Sequence, residues 1–427
     1  MPEYSFDIVP LSRLFVKDAR PMTKSDAGLG AQWPRPDHVW HAVFHAFHTA
    51  WPEKQEWEHW HSPNEKDKHL NSSFRFGALK TAGPFPKGKN GKLYFPMPLD
   101  WNYRLVSGEG TDLPKPLTHV FQNRVVGKQN PPQWISSADY ATYLNGYESD
   151  LPEEAELYDT ERDIGIVIQS DTGTTEKGKL YQAEYIRLQE GVKLAMEASC
   201  EVHNGYTKQT TDLFEKLGVP FYTVLGGQQE VSLVEGGRGS LDIPKIQIER
   251  ITSQYLRWTL LTPAVFPKID ANLDKGINPH PGGWLPSWID SDTGKVLLTN
   301  EVSPRGEKES REAYRARIRK AGQISAKLIA ARIGNPLAFS GWDMEITTKS
   351  KKSNASIAKT EYKDKAPHPK PTVLAVPAGS CYVFDCGSTE NAQALAKALN
   401  WPKRRSALFG ERGFGMGICS SYPENRI

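Results

Sequence analysis

The sequence predicts an α+β protein whose sheets are largely antiparallel. Strand-like segments with alternating apolar and polar residues occur along the chain of 427 residues, and helical patterns interrupt them at a few places. The same order, a strand followed by a helix and then further strands, occurs near both ends. A chain of this length has enough residues for two or three hydrophobic cores.

The first predicted elements are a strand and a helix. Residues 3–16, EYSFDIVPLSRLFV, alternate weakly and predict the strand. A helix begins between Pro34 and Pro36, with Asp37 as the candidate N-cap, and it ends near Trp51 because a proline follows. FRFGALKTAGPF and KLYFPMPLDW then predict two strands.

The middle of the chain predicts strands joined by turns. Residues 163–169, DIGIVIQ, predict a buried strand, and GKLYQAEYIRL predicts the strand that follows it. Residues 218–234 predict a hairpin that is broken at Gly226 and Gly227.

The C-terminal part contains the longest helical pattern. Residues 307–333 predict one long helix, with acidic residues near its start and Gly334 at its end. We expect strands at IQIERI, at LRWTLLTPAVF and within residues 339–346 and 371–386, and a short helix at residues 389–400. The chain ends in a Gly-rich turn followed by strand-like residues.

Composition excludes several classes of protein. Hydrophobic residues make up 38% and charged residues 24%, and no apolar run approaches the roughly 20 residues of a membrane span. The N-terminus has no signal-peptide pattern, so we expect a cytoplasmic protein.

The cysteines form no CxxC pair, which predicts buried thiols and neither a disulfide framework nor a cysteine zinc site. They are Cys200, Cys381, Cys386 and Cys419.

The net charge is only +3, so the distribution of charge is more informative than its total. Basic residues concentrate at 305–320, 349–352 and 403–405. One edge of the predicted long helix is basic and carries Lys308, Arg311, Arg315 and Arg319. Each run is either solvated surface or a binding site for an anionic polymer.

Four histidines lie along the predicted first helix at spacings of three, four and three residues. They are His38, His41, His45 and His48. At helical spacing they share one stripe, beside an aromatic face that would be buried. A histidine pair four residues apart can chelate zinc, but no glutamate follows His41 as it does in an HExxH helix. The stripe is therefore a solvated or partner-facing edge, an RNA or protein contact, or a metal site.

The sequence GERGFGMG near the C-terminus is rich in glycine, which lets backbone N–H groups approach a phosphate closely. It is not a P-loop, because no Lys-Ser/Thr follows, and no βαβ unit can follow it as in a dinucleotide site. A purely structural turn is the alternative. Elsewhere the sequence contains no GxSxG, and no DxD or paired-carboxylate motif stands in an apolar strand-end context, so nothing in it predicts a catalytic centre.

Several segments, taken in order, resemble one known family. LFVKDARPM and the helix WPRPDHVWHAVFHAF resemble the opening strand and first helix of the third subunit of the Cmr effector, a type III-B CRISPR complex. Further similar segments follow in the family's order: AGPFPKGKNGKLYFPMPLD, IGIVI with GKLYQAEYIRL, LGGQQEVSLV, LLTPAVF with GGWLP, SGWD with PKPTVLAVPAGSCYVF, and GFGMG. Together they span nearly the whole chain.

This resemblance implies a fold and a function. Members are RAMP proteins of two ferredoxin-like (RRM-like) domains with antiparallel sheets, here with long inserted loops and hairpins, and we place the domains at 1–240 and 241–427. They act in antiviral defence as non-catalytic, RNA-binding subunits of a ribonucleoprotein. They hold the 5′ handle of the guide crRNA, dock the large polymerase/cyclase-type subunit and contact the first backbone RAMP subunit. We therefore expect no catalytic residue, no metal, no cofactor and no membrane contact.

The resemblance also implies that the Gly-rich loop grips RNA against the first helix. The expected RNA contacts are Lys17, Arg20, Arg35, His38, His41, Lys403, Arg404, Arg405, Gly410, Arg412, Gly413, Gly415 and Gly417. Arg311 and Arg315 are further candidates. Because related RAMP proteins cut repeat RNA, the alternative is an endoribonuclease with a histidine such as His38 or His41 as general acid/base. A metal-dependent enzyme on the histidine stripe is a third hypothesis.

Overall fold

A computed structural model of the chain describes residues 3–16, 30, 32–53, 55, 57, 76–125, 130–146, 150–168, 175–203, 209–272, 277–303, 305–306, 309–343 and 368–427. Its elements confirm an α+β protein with small antiparallel sheets. The α-helices are α1 Pro36–Ala50, α2 Ser137–Leu144, α3 Leu213–Leu217, α4 Arg311–Lys320 and α5 Thr389–Leu399. Short 3-10 helices span Ile248–Arg250, Gly410–Arg412 and Glu424–Arg426.

The strands of the N-terminal half are β1 Tyr4–Pro10, β2 Lys80–Lys87, β3 Tyr94–Pro96, β4 Tyr103–Ser107, β5 His119–Asn123, β6 Trp134–Ser136, β7 Tyr158–Ile168, β8 Thr175–Leu188, β9 Lys193–Ser199, β10 Glu201–His203, β11 Thr210–Asp212, β12 Phe221–Val224 and β13 Val231–Arg238. Those of the C-terminal half are β14 Tyr255–Leu260, β15 Lys327–Arg332, β16 Leu337–Phe339, β17 Trp342–Asp343, β18 His368–Pro369, β19 Val373–Ala375, β20 Cys381–Asp385 and β21 Gly417–Ser421. No helix in the described part is long and apolar enough to cross a membrane.

The larger sheet comes from the N-terminal half and has the antiparallel strand order β12-β13-β1-β9-β2. Helix α1 packs on one of its faces. Val43 and Phe47 of α1 are fully buried in one cluster with Phe6 and Ile8 of the central strand β1. Burial of each such side chain contributes roughly 1.5–3 kcal/mol, so this face holds α1 in place.

A four-stranded antiparallel sheet comes from the C-terminal half, with the order β15-β20-β14-β21. Helix α5 covers it, and its Leu395 and Leu399 are buried with Trp258 of β14 and Phe384 of β20. All four cysteines are free and buried, as the sequence predicts.

The segment from β3 to α2 joins the two sheets. Its Phe95 and Tyr143 are buried in a third cluster, together with Ala195 of the first sheet and Ile418 of the second. The halves of the chain are therefore connected through a shared apolar core as well as through the backbone.

A buried ion pair lies beside this cluster. Arg257 of β14 is 0% exposed and Asp100 is 1% exposed, and their N–O distance is 3.3 Å. The Tyr143 hydroxyl donates to the same carboxylate at 2.6 Å, and Arg257 also donates to the Tyr143 carbonyl and to the Ser420 hydroxyl. A buried charge needs such partners, so these contacts fix how the β3–α2 segment sits on the second sheet.

Several local predictions are confirmed. The first strand is β1, the first helix is α1, and the hairpin with its break at Gly226 and Gly227 is formed by β12 and β13. The short helix predicted near the C-terminus is α5, and the strand-like residues after the Gly-rich turn form β21.

The prediction of one long helix over residues 307–333 is wrong. Helix α4 ends at Lys320, Gly322 follows, and residues 327–332 form strand β15. Ile324, Ala326 and Leu328 are buried while the residues between them are exposed, which is the period of a strand. Pairing of β15 with β20, a strand distant in sequence, determines this conformation.

Three smaller predictions are also wrong. Arg35 is the N-cap of α1, since Pro36 occupies the first helical position that proline prefers, and Asp37 lies in the first turn. IQIERI is not a strand; it contains the 3-10 helix Ile248–Arg250, and its isoleucines pack into two different clusters. Residues 163–168 of the strand predicted at 163–169 lie in β7, which confirms the strand, and residue 169 lies outside the described residues. The prediction that this strand is buried fails at Ile164, which is 64% exposed.

Candidate functional site

The Gly-rich loop of the C-terminal half packs on helix α1 of the N-terminal half. Arg412 carries most of this contact. Its guanidinium lies 4.8 Å from the ring centre of Trp40 and 5.0 Å from that of Phe409, and Nη1 lies 3.3 Å from Nε2 of His41. Stacking on two aromatic rings holds the cation at the edge of α1 with part of its side chain exposed.

Two glycines give the loop its shape. Gly413 has φ +92°, and a Cβ there would lie 2.8 Å from the Thr81 carbonyl oxygen of β2. Gly415 has φ +73°, and a Cβ there would lie 2.0 Å from the backbone nitrogen of Ser406. Their N–H groups donate to the carbonyls of Gly410 and Pro263, at 3.0 and 2.7 Å. Both glycines therefore permit close packing, and their N–H groups are not directed at a phosphate.

The other two glycines differ from each other. Gly417 begins β21, and a Cβ there would lie 2.5 Å from the indole nitrogen of Trp258, so this position is also one of close packing. A Cβ on Gly410 would meet only Arg404 Cβ, at the ordinary distance of 3.5 Å. Gly410 thus tolerates a side chain in a way that Gly417 does not.

The basic residues before the loop are engaged with the protein. Arg404 Nη1 donates to the carbonyls of Thr81 and Gly410, at 2.5 and 2.8 Å, and Arg405 Nε donates to Ala398 at 2.7 Å. Burial lowers the pKa of both guanidinium groups, although they remain charged at neutral pH. Arg404 therefore joins the loop to β2, and these two cations have fewer donors left for RNA.

Lys403 is more accessible. Its side chain is 42% exposed and forms an ion pair with Glu301. A surface pair of this kind contributes about 0–1 kcal/mol, so an anionic ligand could replace Glu301 at little cost.

At the start of α1, hydrogen bonds join Arg35 and His38. The Arg35 N–H donates to Nδ1 of His38 at 3.1 Å, and the buried Arg35 guanidinium pairs with Asp37 at 3.0 Å and lies over the Phe339 ring. Desolvation lowers the pKa of His38 to about 4. His38 is therefore neutral at pH 7.

A cleft of about 460 Å³ opens along this edge of α1. Its lining includes His38, His41 and His45 of α1 and the turn at Gly226 and Gly227. His41 is exposed, and its pKa is lowered by desolvation and by the positive charge of Arg412. The predicted stripe is thus divided, because the fourth histidine packs on Phe44 and Phe76 away from the cleft.

The sequence predicted that Trp40 lies on the buried aromatic face of the first helix, but it did not single out Phe15, Phe339 or Phe409. Phe15 and Phe339 line the cleft, and Trp40 and Phe409 hold Arg412. Only their proximity in the fold distinguishes them from other core aromatics. Lys17 and Arg20 lie outside the described residues. Within the described residues, no group of three or more His, Cys, Asp or Glu side chains could hold a metal ion.

Residues 6–419 match the family model described as CRISPR-associated protein (Cas_Cmr3). The chain belongs to this family. Membership of the Cas_Cmr3 family confirms the resemblance to the third subunit of the type III-B Cmr effector. No curated protein sequence matches the chain.

Solved structures of similar proteins are distant. A chain of the Type III-B Cmr-beta bound to cognate target RNA is 15% identical, with a TM-score of 0.39 over 89% of this chain and 86% of that chain. A chain of the same complex with target RNA and AMPPnP is 14% identical, with a TM-score of 0.40 over the same shares. A chain of its apo state is 12% identical, with a TM-score of 0.28 over 55% of this chain and 96% of that chain.

Proposed function

We propose that this Cas_Cmr3 protein is a non-catalytic, RNA-binding structural subunit of a type III-B Cmr effector complex. In this role it holds the 5′ handle of the guide crRNA, docks the large polymerase/cyclase-type subunit and contacts the first backbone RAMP subunit, in antiviral defence. We further propose that residues 1–240 and 241–427 are two ferredoxin-like domains. In support, the strands of the larger sheet lie within residues 4–238 and those of the smaller within 255–421.

One observation carries the RNA-binding proposal: Arg412 is held on an aromatic platform where the two halves of the chain meet. Its side chain is 24% exposed, and its guanidinium lies beside His41, which lines the cleft. A guanidinium fixed in this way can bond a phosphate with little further ordering. The half-buried ring of Phe15 in the cleft is suited to stacking on an unpaired base, which is worth roughly 1–3 kcal/mol.

The expected contacts divide by their geometry. His41 and Lys403 are exposed, and Arg412 is partly exposed and pairs with Glu411; these three residues form the core of the proposed handle site. Arg404 and Arg35 support the site through bonds to carbonyl and carboxylate groups of the protein. Lys17 and Arg20 remain predicted contacts.

The endoribonuclease alternative gains no support from the geometry. A general acid at pH 7 needs a pKa near 7, whereas the pKa of His38 is lowered to about 4 and its Nδ1 already accepts a bond from Arg35. His41 bonds to Arg412, which disfavours its protonated form. Cleavage of repeat RNA by the purified protein, abolished by His41→Ala, would nevertheless establish it.

Two measurements test the proposal. RNA that co-purifies with the chain from its native source should share one 5′ end when its ends are sequenced. In fluorescence anisotropy, Arg412→Ala should weaken binding of an RNA with that 5′ end about tenfold, the effect of losing one charged hydrogen bond. Arg104→Ala is the matched control, because Arg104 is an exposed arginine that bonds only Gln122 among the described residues. Equal binding by both variants would contradict the proposed site.

A further inference from the structure

Helix α4 is supported by very little packing. Of its nine residues whose side chains the structure describes, none is buried, and the apolar Ile318 is 36% exposed. Isolated helices shorter than about 12–15 residues are marginal in water, and most protein helices are held by a packed apolar face. The ten residues of α4 therefore lack the usual source of helical stability.

Local contacts hold one side of α4. The Ser310 hydroxyl caps its start by accepting the Ala313 N–H at 3.0 Å. Arg317 pairs with Glu309 at 2.8 Å, and its guanidinium lies over the Tyr314 ring. These contacts neutralise Arg317 and fix the first turns, but they leave the basic edge of the helix uncompensated.

That edge is formed by Arg311 and Arg315, which are four residues apart and so lie on one face about 6 Å apart along the axis. Both are exposed, and in the part of the chain that the structure describes neither guanidinium has a hydrogen-bond or ion-pair partner. Like charges at this spacing destabilise a helix. An anion that binds both guanidinium groups would remove this repulsion.

The base of α4 is connected to the candidate RNA surface. Directly after the helix, the Gly322 carbonyl accepts a hydrogen bond from the Asn300 N–H at 2.9 Å. Glu301, the residue after Asn300, forms an ion pair with Lys403. Lys403 begins the segment that leads into the Gly-rich loop. The contacts of residues 300–301 thus link α4 to the basic segment 403–405.

We infer that α4 is a second RNA-binding element, which contacts the phosphate backbone beyond the handle through Arg311 and Arg315. This inference rests on the proposed function of the Gly-rich loop. Phosphate is favoured over an acidic protein surface because a protein interface needs an apolar centre, and α4 exposes only one large apolar side chain among those described. A repeating anion matches two cations at a regular spacing without any apolar contact.

The test compares two probes on the full chain. One is a fluorescein-labelled single strand with the 5′ sequence of the co-purified RNA, and the other is the same strand extended by 20 nucleotides that are paired with a complementary RNA. The double variant Arg311→Ala/Arg315→Ala should bind the extended probe about tenfold more weakly. The slope of log K against log salt should decrease in magnitude by roughly 1.4–1.8, which corresponds to two lost phosphate contacts. Binding of the handle probe should not change.

Lys320→Ala/Lys327→Ala is the charge-matched control, since both lysines are exposed and lie off the Arg311–Arg315 face. It should change the affinity for the extended probe less than twofold. Wild-type affinity and slope in the arginine variant would overturn the inference and identify this face as solvated surface. The Arg412→Ala variant then separates this inference from the proposed function. If Arg412→Ala loses handle binding, the proposed function still holds. If it retains handle binding, the proposed function itself is rejected.

Hydrogen exchange provides an independent readout. Backbone amides of residues 313–320 should exchange rapidly in the free chain and become protected with the extended probe but not with the handle probe. A different result would overturn the RNA proposal. If these amides become protected only when an acidic partner protein is added, and the arginine variant binds RNA normally, α4 contacts a protein and not RNA.

Discussion

Gly413→Ala tests whether the Gly-rich loop must pack closely on β2 to present Arg412. Gly413 has φ +92°, a conformation that costs an alanine roughly 1–2 kcal/mol. The new Cβ would also lie 2.8 Å from the Thr81 carbonyl oxygen and 3.2 Å from Ala82 Cα, so the loop or the strand must move. We expect a total destabilisation of about 2 kcal/mol, which lowers Tm by roughly 2 °C in a chain of 427 residues.

The same movement should weaken RNA binding. Arg404 donates to the same Thr81 carbonyl, so displacement of the loop also disturbs this bond and moves Arg412 from His41. We expect about tenfold weaker binding of handle RNA in fluorescence anisotropy. Gly410→Ala is the matched control, because its Cβ would make only an ordinary contact at 3.5 Å. If the two variants have the same Tm and the same affinity, close packing of the loop is not what positions Arg412.

Two further predictions concern stability. Asp100→Asn leaves the fully buried Arg257 without its charge partner and should lower the free energy of unfolding in urea by about 3–5 kcal/mol. The control is Asp292→Asn, which removes an exposed ion pair with Lys115 and should lower it by about 0–1 kcal/mol. Similar losses in both variants would refute the role of the buried pair. The pKa of His38 is about 4 in the folded chain and 6.5 unfolded, so the unfolded state binds one more proton between these values. The free energy of unfolding should therefore fall as pH falls from 6.5 to 4, by up to about 1.4 kcal/mol per pH unit. His38→Asn should reduce this slope. An unchanged slope would show that the pKa of His38 is not lowered in the folded chain.

Elements with a strong local pattern could be predicted from the sequence. Helix α1 has prolines at its start and after its end, and the β12–β13 hairpin has a Gly-Gly break, so neighbouring residues determine both. Residues 324–332 could not be assigned in this way. Alanine, isoleucine and leucine at these positions fit a helical period, and only pairing of β15 with β20 selects the strand.

The candidate site shows the same limit. The sequence identified Arg404 and Arg412 as basic residues near a Gly-rich turn, but their different surroundings come from contacts over more than 300 residues. Arg404 meets the Thr81 carbonyl, and Arg412 meets Trp40. Whether an arginine supports a loop or remains available to a ligand therefore depends on contacts with residues that are distant in sequence, and no local pattern reveals these contacts.

The buried pair of Asp100 and Arg257 also constrains the order in which the chain matures on the ribosome. Asp100 is synthesised early, but the Ser420 hydroxyl that completes the surroundings of Arg257 is made about 320 residues later. At roughly 5–20 residues per second, the carboxylate waits about 15–60 s for its final environment. The complete set of hydrogen bonds around Arg257 can therefore form only after β21 has been synthesised.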